Sequence, residues 1–156
     1  MKIHSLSLKE RNRMSAFIGT HRCRVDAKGR FNVPASFRRY LGTEGGETFV
    51  ISRGTEQCLI LFAPDGWKAF QEKLAALPAG ADKKKTIRFY SANSATVVLD
   101  RQGRVGIPKD YLGDYGIEGE ALLVGALDYI EVWMPEDFDR HLKDAEEVVR
   151  KMDTLL

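Results

Sequence analysis

The chain is poor in the residues that metal and redox chemistry require: its 156 residues include two cysteines and three histidines. Cys23 and Cys58 stand 35 positions apart with no second thiol beside either, whereas a metal ribbon or redox motif needs close pairs such as C-x-x-C. Two reduced, partly buried thiols are the expectation. His4, His21 and His141 lack the short spacing to another ligand that a metal site on a helix or hairpin uses, so neither metal nor cofactor is expected. Long apolar runs are missing as well. Runs such as 97–99 and 121–124 fall far short of the roughly 18 residues of a membrane span. Residues 1–16 carry Lys2, Lys9, Arg11 and Arg13, but no apolar stretch follows that could serve as a signal-peptide core. A cytoplasmic protein is expected, with no membrane partner.

Enzyme signatures are equally scarce. The chain contains no G-x-S-x-G, no Walker loop and no dinucleotide fingerprint. The glycines of 42–46 lack the Lys-Ser/Thr that completes a phosphate cradle, and no His is set by motif beside a Cys or Ser. Acidic pairs at 136–137 and 146–147 lie in a stretch with helical apolar spacing, which places them toward solvent. A non-enzymatic protein without a small-molecule substrate is the expectation, although fold alone excludes no catalysis.

What is present is an uneven charge and a repeat. Residues 1–78 hold 13 basic and 7 acidic side chains, a net of +6, and residues 79–156 hold 11 and 15, a net of −4. Within 11–40, eight Arg or Lys face the single acid Asp26. Such a field suits a polyanion; a solvated basic face is the plainer alternative. The segment 25–37, VDAKGRFNVPASF, aligns with 99–111, LDRQGRVGIPKDY, sharing Asp, Gly, Arg and Pro in register. The match continues: 47–51 answers 120–124, 58–64 answers 129–135, and Trp67 answers Phe138.

Each repeat reads as strand, tight turn, strand, short helix and two further strands. Asp26-Ala-Lys-Gly29 and Asp100-Arg-Gln-Gly103 have turn chemistry, Asp accepting from the turn amides and Gly supplying positive φ. The return segments from Arg30 and Arg104 alternate as half-buried strands do. Pro34 and Pro108 fit first helical turns, and Gly42 and Gly113 fit helix ends. Strands are expected at 48–51 with 58–62 and at 121–124 with 129–133. The resulting organisation is an N-terminal extension (1–16), expected to be disordered, a first repeat (18–67), a helical connector (68–94), a second repeat (95–138) and a C-terminal helix (139–156). In that last helix the stripe Phe138, Leu142, Ala145, Val149 and Met152 reads as core packing before a partner-binding face.

With two Asp-x-x-x-Arg turns in register, each trailed by Gly, Pro and strands, the chain resembles the MraZ family of bacterial regulators, built from two SpoVT–AbrB-like modules. The segment 17–34, FIGTHRCRVDAKGRFNVP, is close to that family's opening, and the likeness covers about 17–150. Family members usually begin near Met14, so 1–13 reads as an extension or an upstream start. The resemblance implies an α+β, mainly β fold in which the AbrB-like repeats interlock as a pseudo-twofold swapped-hairpin, double-psi-like barrel with flanking helices. It implies a ring-shaped homo-oligomer associated with the nucleoid, and sequence-specific binding to short promoter repeats of double-stranded DNA. The genes regulated in that family are those of division and cell-wall synthesis, the regulator's own operon among them. Its DNA-contacting motif falls here on Asp26 and Arg30 and on Asp100 and Arg104.

The chemistry agrees. A rigid guanidinium at a hairpin tip reads guanine O6 and N7 bidentately in the major groove. Asp26 and Asp100 are expected to position, Arg30 and Arg104 to read, and Arg22, Arg24, Lys28, Arg38, Arg39 and Arg101 to lie along phosphates. Arg104 is expected to matter less than Arg30, because its surroundings are acidic. The plainer alternative makes each Asp–Arg pair a salt bridge that closes its turn, contributing about 0–1 kcal/mol. A protein-binding antitoxin-like module is the second alternative, disfavoured by the complete second repeat.

Overall fold

The computed structural model describes residues 16–39, 48–152 and 154–155. The extension 1–16 lies outside the described residues but for Ala16, as does Gly42.

Among the described residues eight strands and five helices follow one another as β1 (Thr20–Arg24), β2 (Arg30–Asn32), α1 (Ala35–Arg38), β3 (Thr48–Arg53), β4 (Leu59–Phe62), α2 (Pro64–Ala75), α3 (Ala81–Ala92), β5 (Ser94–Val98), β6 (Arg104–Gly106), α4 (Lys109–Asp114), β7 (Glu120–Gly125), β8 (Ile130–Trp133) and α5 (Pro135–Lys151). The repeat is visible at once: β1-β2-α1-β3-β4 recurs as β5-β6-α4-β7-β8. The architecture is α+β, dominated by antiparallel sheet.

One sheet runs β1-β7-β8-β4-β3-β5 and a second, two-stranded ribbon pairs β2 with β6. Exchanging the repeats turns the six-strand order into its own reverse, so the sheet is its own pseudo-twofold image. The repeats trade elements: β1 of the first pairs with β7 of the second, and β5 of the second with β3 of the first. β4 and β8 join the halves at the centre, with Ile60 opposite Glu131. One face of the central strands is fully buried: Ile51, Leu59, Leu61, Leu123, Ile130 and Val132, which share that face by register, are all essentially inaccessible, whereas Ile60 and Glu131 on the other face are half-buried.

Three expectations need correction. The strand order is open among the described residues, with β1 and β5 at its edges, so the double-psi-like barrel is not closed by these pairings. The strands flanking each Asp turn also part company. Asp26 N–H donates to Arg30 C=O at 2.9 Å and Asp100 N–H to Arg104 C=O at 2.8 Å, but β1 then joins the large sheet and β2 the ribbon. The second helix passes through Gly113 and ends at Asp114, with Pro34 and Pro108 one position before the first helical residue.

The C-terminal stripe departs from expectation too. Phe138 packs edge-on against buried Trp133, but Leu142, Val149 and Met152 are 46%, 64% and 56% exposed. The helix leaves the core after its first turns, so its apolar face is surface. A further lock joins residues far apart in the sequence. Arg53 at the end of β3 pairs with Asp110 (3.2 Å) and Asp114 (2.8 Å) of α4, and its guanidinium lies 3.9 Å from the centroid of the Tyr111 ring. No helix of the described residues is long and apolar enough to cross a membrane.

Candidate nucleic-acid interface

Both Asp turns are built alike. Asp26 Oδ1 accepts from the backbone N–H groups of Lys28 and Arg30, each at 2.9 Å, and Oδ2 accepts from Arg30 Nε at 2.8 Å. Asp100 repeats this with Gln102 and Arg104 N–H at 2.9 Å and Arg104 Nε at 2.9 Å. One carboxylate therefore closes the turn and also fixes the azimuth of a guanidinium. Each ion pair uses Nε. Among the described residues neither arginine's Nη groups form an ion pair, and the side chains are 36% (Arg30) and 27% (Arg104) exposed.

The carboxylates show the strength of this arrangement. The Arg30 backbone N–H bond, against partial desolvation and with help from the guanidinium and Lys28 N–H, holds Asp26 down at about 2. The Arg104 N–H, in the same way, lowers Asp100. Hydrogen bonds to the ionised form favour that form.

The glycines of the turns take positive φ, +81° at Gly29 and +78° at Gly103, a region that L side chains enter at a cost. Space around them differs. A Cβ at Gly29 would stand 2.5 Å from the Ile107 carbonyl oxygen and 3.1 Å from Leu112 Cδ1. At Gly103 it would meet the guanidinium of Arg38, with Nη1 at 2.7 Å and Cζ at 3.2 Å. Arg38, on the helix of the first repeat, therefore lies against the turn of the second. Acidic surroundings were the expectation for Arg104; a cation from the other repeat lies against the turn that precedes it.

The ribbon brings the two turns together. Arg30 pairs with Gly106, Phe31 with Val105 and Asn32 with Arg104; Ile107 N–H donates to Gly29 C=O and Val33 N–H to Gly103 C=O, both at 2.9 Å. Opposed residues of an antiparallel pair share a face. Phe31 and Val105 are buried, so Arg30, Asn32, Arg104 and Gly106 share the outer one. Two positions of stagger set the arginines about 7 Å apart along the ribbon.

The remaining basic residues are distributed unevenly. Lys28 and Arg101 are exposed on the two turns, and Arg39 is exposed at the end of α1. Arg22 and Arg24 project from β1, where Arg22 Nη1 donates to Glu120 Oε1 at 2.6 Å and Arg24 lies in register with Glu120. Arg22 is thus engaged, whereas the ribbon arginines keep their outer edges. Among the described residues no cluster of His, Cys, Asp and Glu could hold a metal.

The family model described as "MraZ protein, putative antitoxin-like" matches the chain twice, over residues 16–90 and 91–154. Three similar proteins carry the name Transcriptional regulator MraZ. That of Alkaliphilus metalliredigens is 31% identical over 144 residues, spanning 89% of this chain and 98% of the relative. That of Alkaliphilus oremlandii is 32% identical over 141 residues (87% and 96%), and that of Natranaerobius thermophilus 33% over 132 residues (83% and 89%).

Proposed function

The chain belongs to the MraZ family, and on that premise we propose that it is a transcriptional regulator that reads double-stranded promoter DNA with the β2–β6 ribbon. The observation that carries this reading is the ribbon's outer face. Two arginines, each held at Nε by its own aspartate, carry Nη groups without an ion pair among the described residues on a two-stranded antiparallel element, and the major groove admits such a ribbon. Arg30 and Arg104 read guanine; Asp26 and Asp100 position them. Lys28 and Arg101 on the turns, Arg38 beside Gly103, Arg39, and Arg22 and Arg24 on the edge strand run along phosphates.

The finer features follow the same reading. The reciprocal exchange of β1 and β5 supports two interlocked repeats that span 18–67 and 95–138, with 68–94 as helical connector, 139–156 as C-terminal helix and 1–16 as an extension. One ribbon offers little contact area. A ring of copies meeting short direct repeats would make later contacts intramolecular and raise avidity roughly 10²–10⁴-fold. The site would lie upstream of a division and cell-wall operon, and the protein would work in the cytoplasm at the nucleoid, without catalysis. An antitoxin-like, protein-binding reading draws on the exposed stripe of α5. Recovery of the protein without a small toxin, with DNA retained, counts against it.

Fluorescence anisotropy with duplexes from the chain's own upstream region tests the proposal. Binding tightens as salt falls, and Arg30→Ala and Arg104→Ala each weaken it about 5- to 150-fold without changing the circular dichroism spectrum. Affinity unchanged in both variants overturns the assignment.

A further inference from the structure

The outer face of the ribbon is symmetric in backbone and asymmetric in side chains. Asn32 and Gly106 occupy equivalent positions of the two repeats, each two residues beyond its arginine and directly opposite the arginine of the other strand. Asn32 is exposed, and its side-chain amide has no hydrogen-bond partner among the described residues. Across from it stands Arg104; across from Arg30 stands no side chain. A Cβ at Gly106 would come just to van der Waals contact, 3.4 Å from Arg30 Cγ, and the backbone there has no positive φ. Glycine is therefore not required at 106 by strain. Its effect is to leave the Arg30 end of the ribbon open while the Arg104 end carries a carboxamide.

We propose that Asn32 is a specificity-determining residue that reads adenine beside the Arg104 contact and so gives the ribbon a direction on DNA. The proposal rests on the DNA-binding reading above. A carboxamide matches adenine alone among the bases in bidentate fashion, donating to N7 and accepting from the N6 amino group. Opposed Cβ atoms across an antiparallel pair stand about 5 Å apart, one to two steps of the 3.4 Å base stack, so Asn32 and Arg104 address neighbouring base pairs. A ribbon carrying only Arg30 and Arg104 would read the same site after a half-turn about its pseudo-twofold. Asn32 removes that degeneracy: one half-site becomes guanine with adjacent adenine, the other guanine alone.

Selection from a randomised duplex library, performed in parallel on the full chain and its variants, tests this. The wild-type chain enriches sites with an adenine requirement on one side only of the guanine pair. Asn32→Ala loses that requirement, keeps the guanines and binds the wild-type site about 5- to 150-fold more weakly. Asn32→Asp, of nearly the same shape, moves the preference from adenine toward cytosine, whose N4 amino group a carboxylate accepts. The exchanged variant, Asn32→Gly with Gly106→Asn, moves the adenine to the opposite side. If the wild-type chain enriches no duplex, the DNA-binding reading falls and this one with it. If enriched sites are identical for wild type, Asn32→Ala and the exchanged variant, this assignment alone is overturned.

Discussion

Gly29→Ala and Gly103→Ala form a matched pair whose difference can be worked from the structure. Both glycines sit at nearly the same positive φ, +81° and +78°, so an alanine costs about 1–2 kcal/mol in backbone strain at either position. At Gly103 the added methyl meets the end of the Arg38 side chain, which swings away into solvent at little cost. At Gly29 it meets the Ile107 carbonyl oxygen at 2.5 Å and Leu112 at 3.1 Å. That carbonyl belongs to a backbone whose own N–H donates to Gly29 C=O at 2.9 Å. Relief means prying the ribbon apart, adding about 2–3 kcal/mol from overpacking and a weakened hydrogen bond. Equilibrium urea unfolding followed by tryptophan fluorescence, at one protein concentration, should place Gly29→Ala about 2–3 kcal/mol below Gly103→Ala. Binding reverses the order of interest. Gly103→Ala displaces Arg38 from the second turn, so the slope of log affinity against log salt falls by about 1, the same change as Arg38→Ala, and the double variant loses no more than either alone. Equal stability losses in the two alanine variants would refute the wall at Ile107. An unchanged salt slope in Gly103→Ala would refute the placement of Arg38 beside the DNA.

Asp26, held at about 2 against an ordinary value of 3.8, has a depressed pKa, so its contribution is complete above the ordinary value and disappears as pH falls through about 2. The stability gap between the native chain and Asp26→Asn should therefore be constant above pH 4 and close between pH 4 and 2; a carboxyl titration by NMR centred near 3.8 contradicts the geometry. Burial pushes the Cys23 thiol up to about 12 and raises Cys58 as well, so at pH 8 both should resist alkylation in the native chain and react once it is unfolded. Arg53→Ala removes two ion pairs and the contact with Tyr111, a loss of about 1.5–3 kcal/mol, moderated because both aspartates stay largely in water; a loss under about 0.5 kcal/mol in urea would show the cluster to be ornamental.

The repeat, the turns and the central strands were legible because each is a local pattern. Asp26-x-x-Gly29-Arg30 and its copy specify turns through their own hydrogen bonds, and β3, β4, β7 and β8 follow from short apolar runs. The alternation after Arg30 already placed Asn32 on the arginine's face. Its neighbour could not be read, because the pairing of β2 with β6 joins residues 70 or more positions apart and no local propensity encodes it. The same non-local exchange carried Arg38 to Gly103. The Arg53 cluster is illegible for a related reason: its partners lie 57 and 61 positions away. The exposure of the α5 stripe is illegible because periodicity shows that a helix has an apolar face and is silent on whether anything covers it.

The asymmetries converge on one physical consequence. The sheet order is its own image under exchange of repeats, so a chain whose repeats were identical would meet DNA equally well in two orientations. Three departures break the equivalence at the ribbon or beside it. Arg38 packs on Gly103 where Leu112 packs on Gly29, Asn32 answers Gly106, and Arg53 clamps α4 with no counterpart at Ala126, the matching position after β7. The first adds a cation to one turn, the second a base-reading group to the same end of the ribbon, and the third stiffens the helix that follows that end. All three favour the Arg104 side. A palindrome is read by a symmetric pair, but repeats lying head to tail demand that every copy face the same way. On this argument the second repeat, acidic in composition, carries the more discriminating half of the contact, and its alanine substitution at Arg104 should degrade orientation on a directional site more than Arg30→Ala does. Hydroxyl-radical footprints of both variants on a single site, labelled at one end, decide the matter: equal loss of polarity in the two would return the ribbon to functional symmetry.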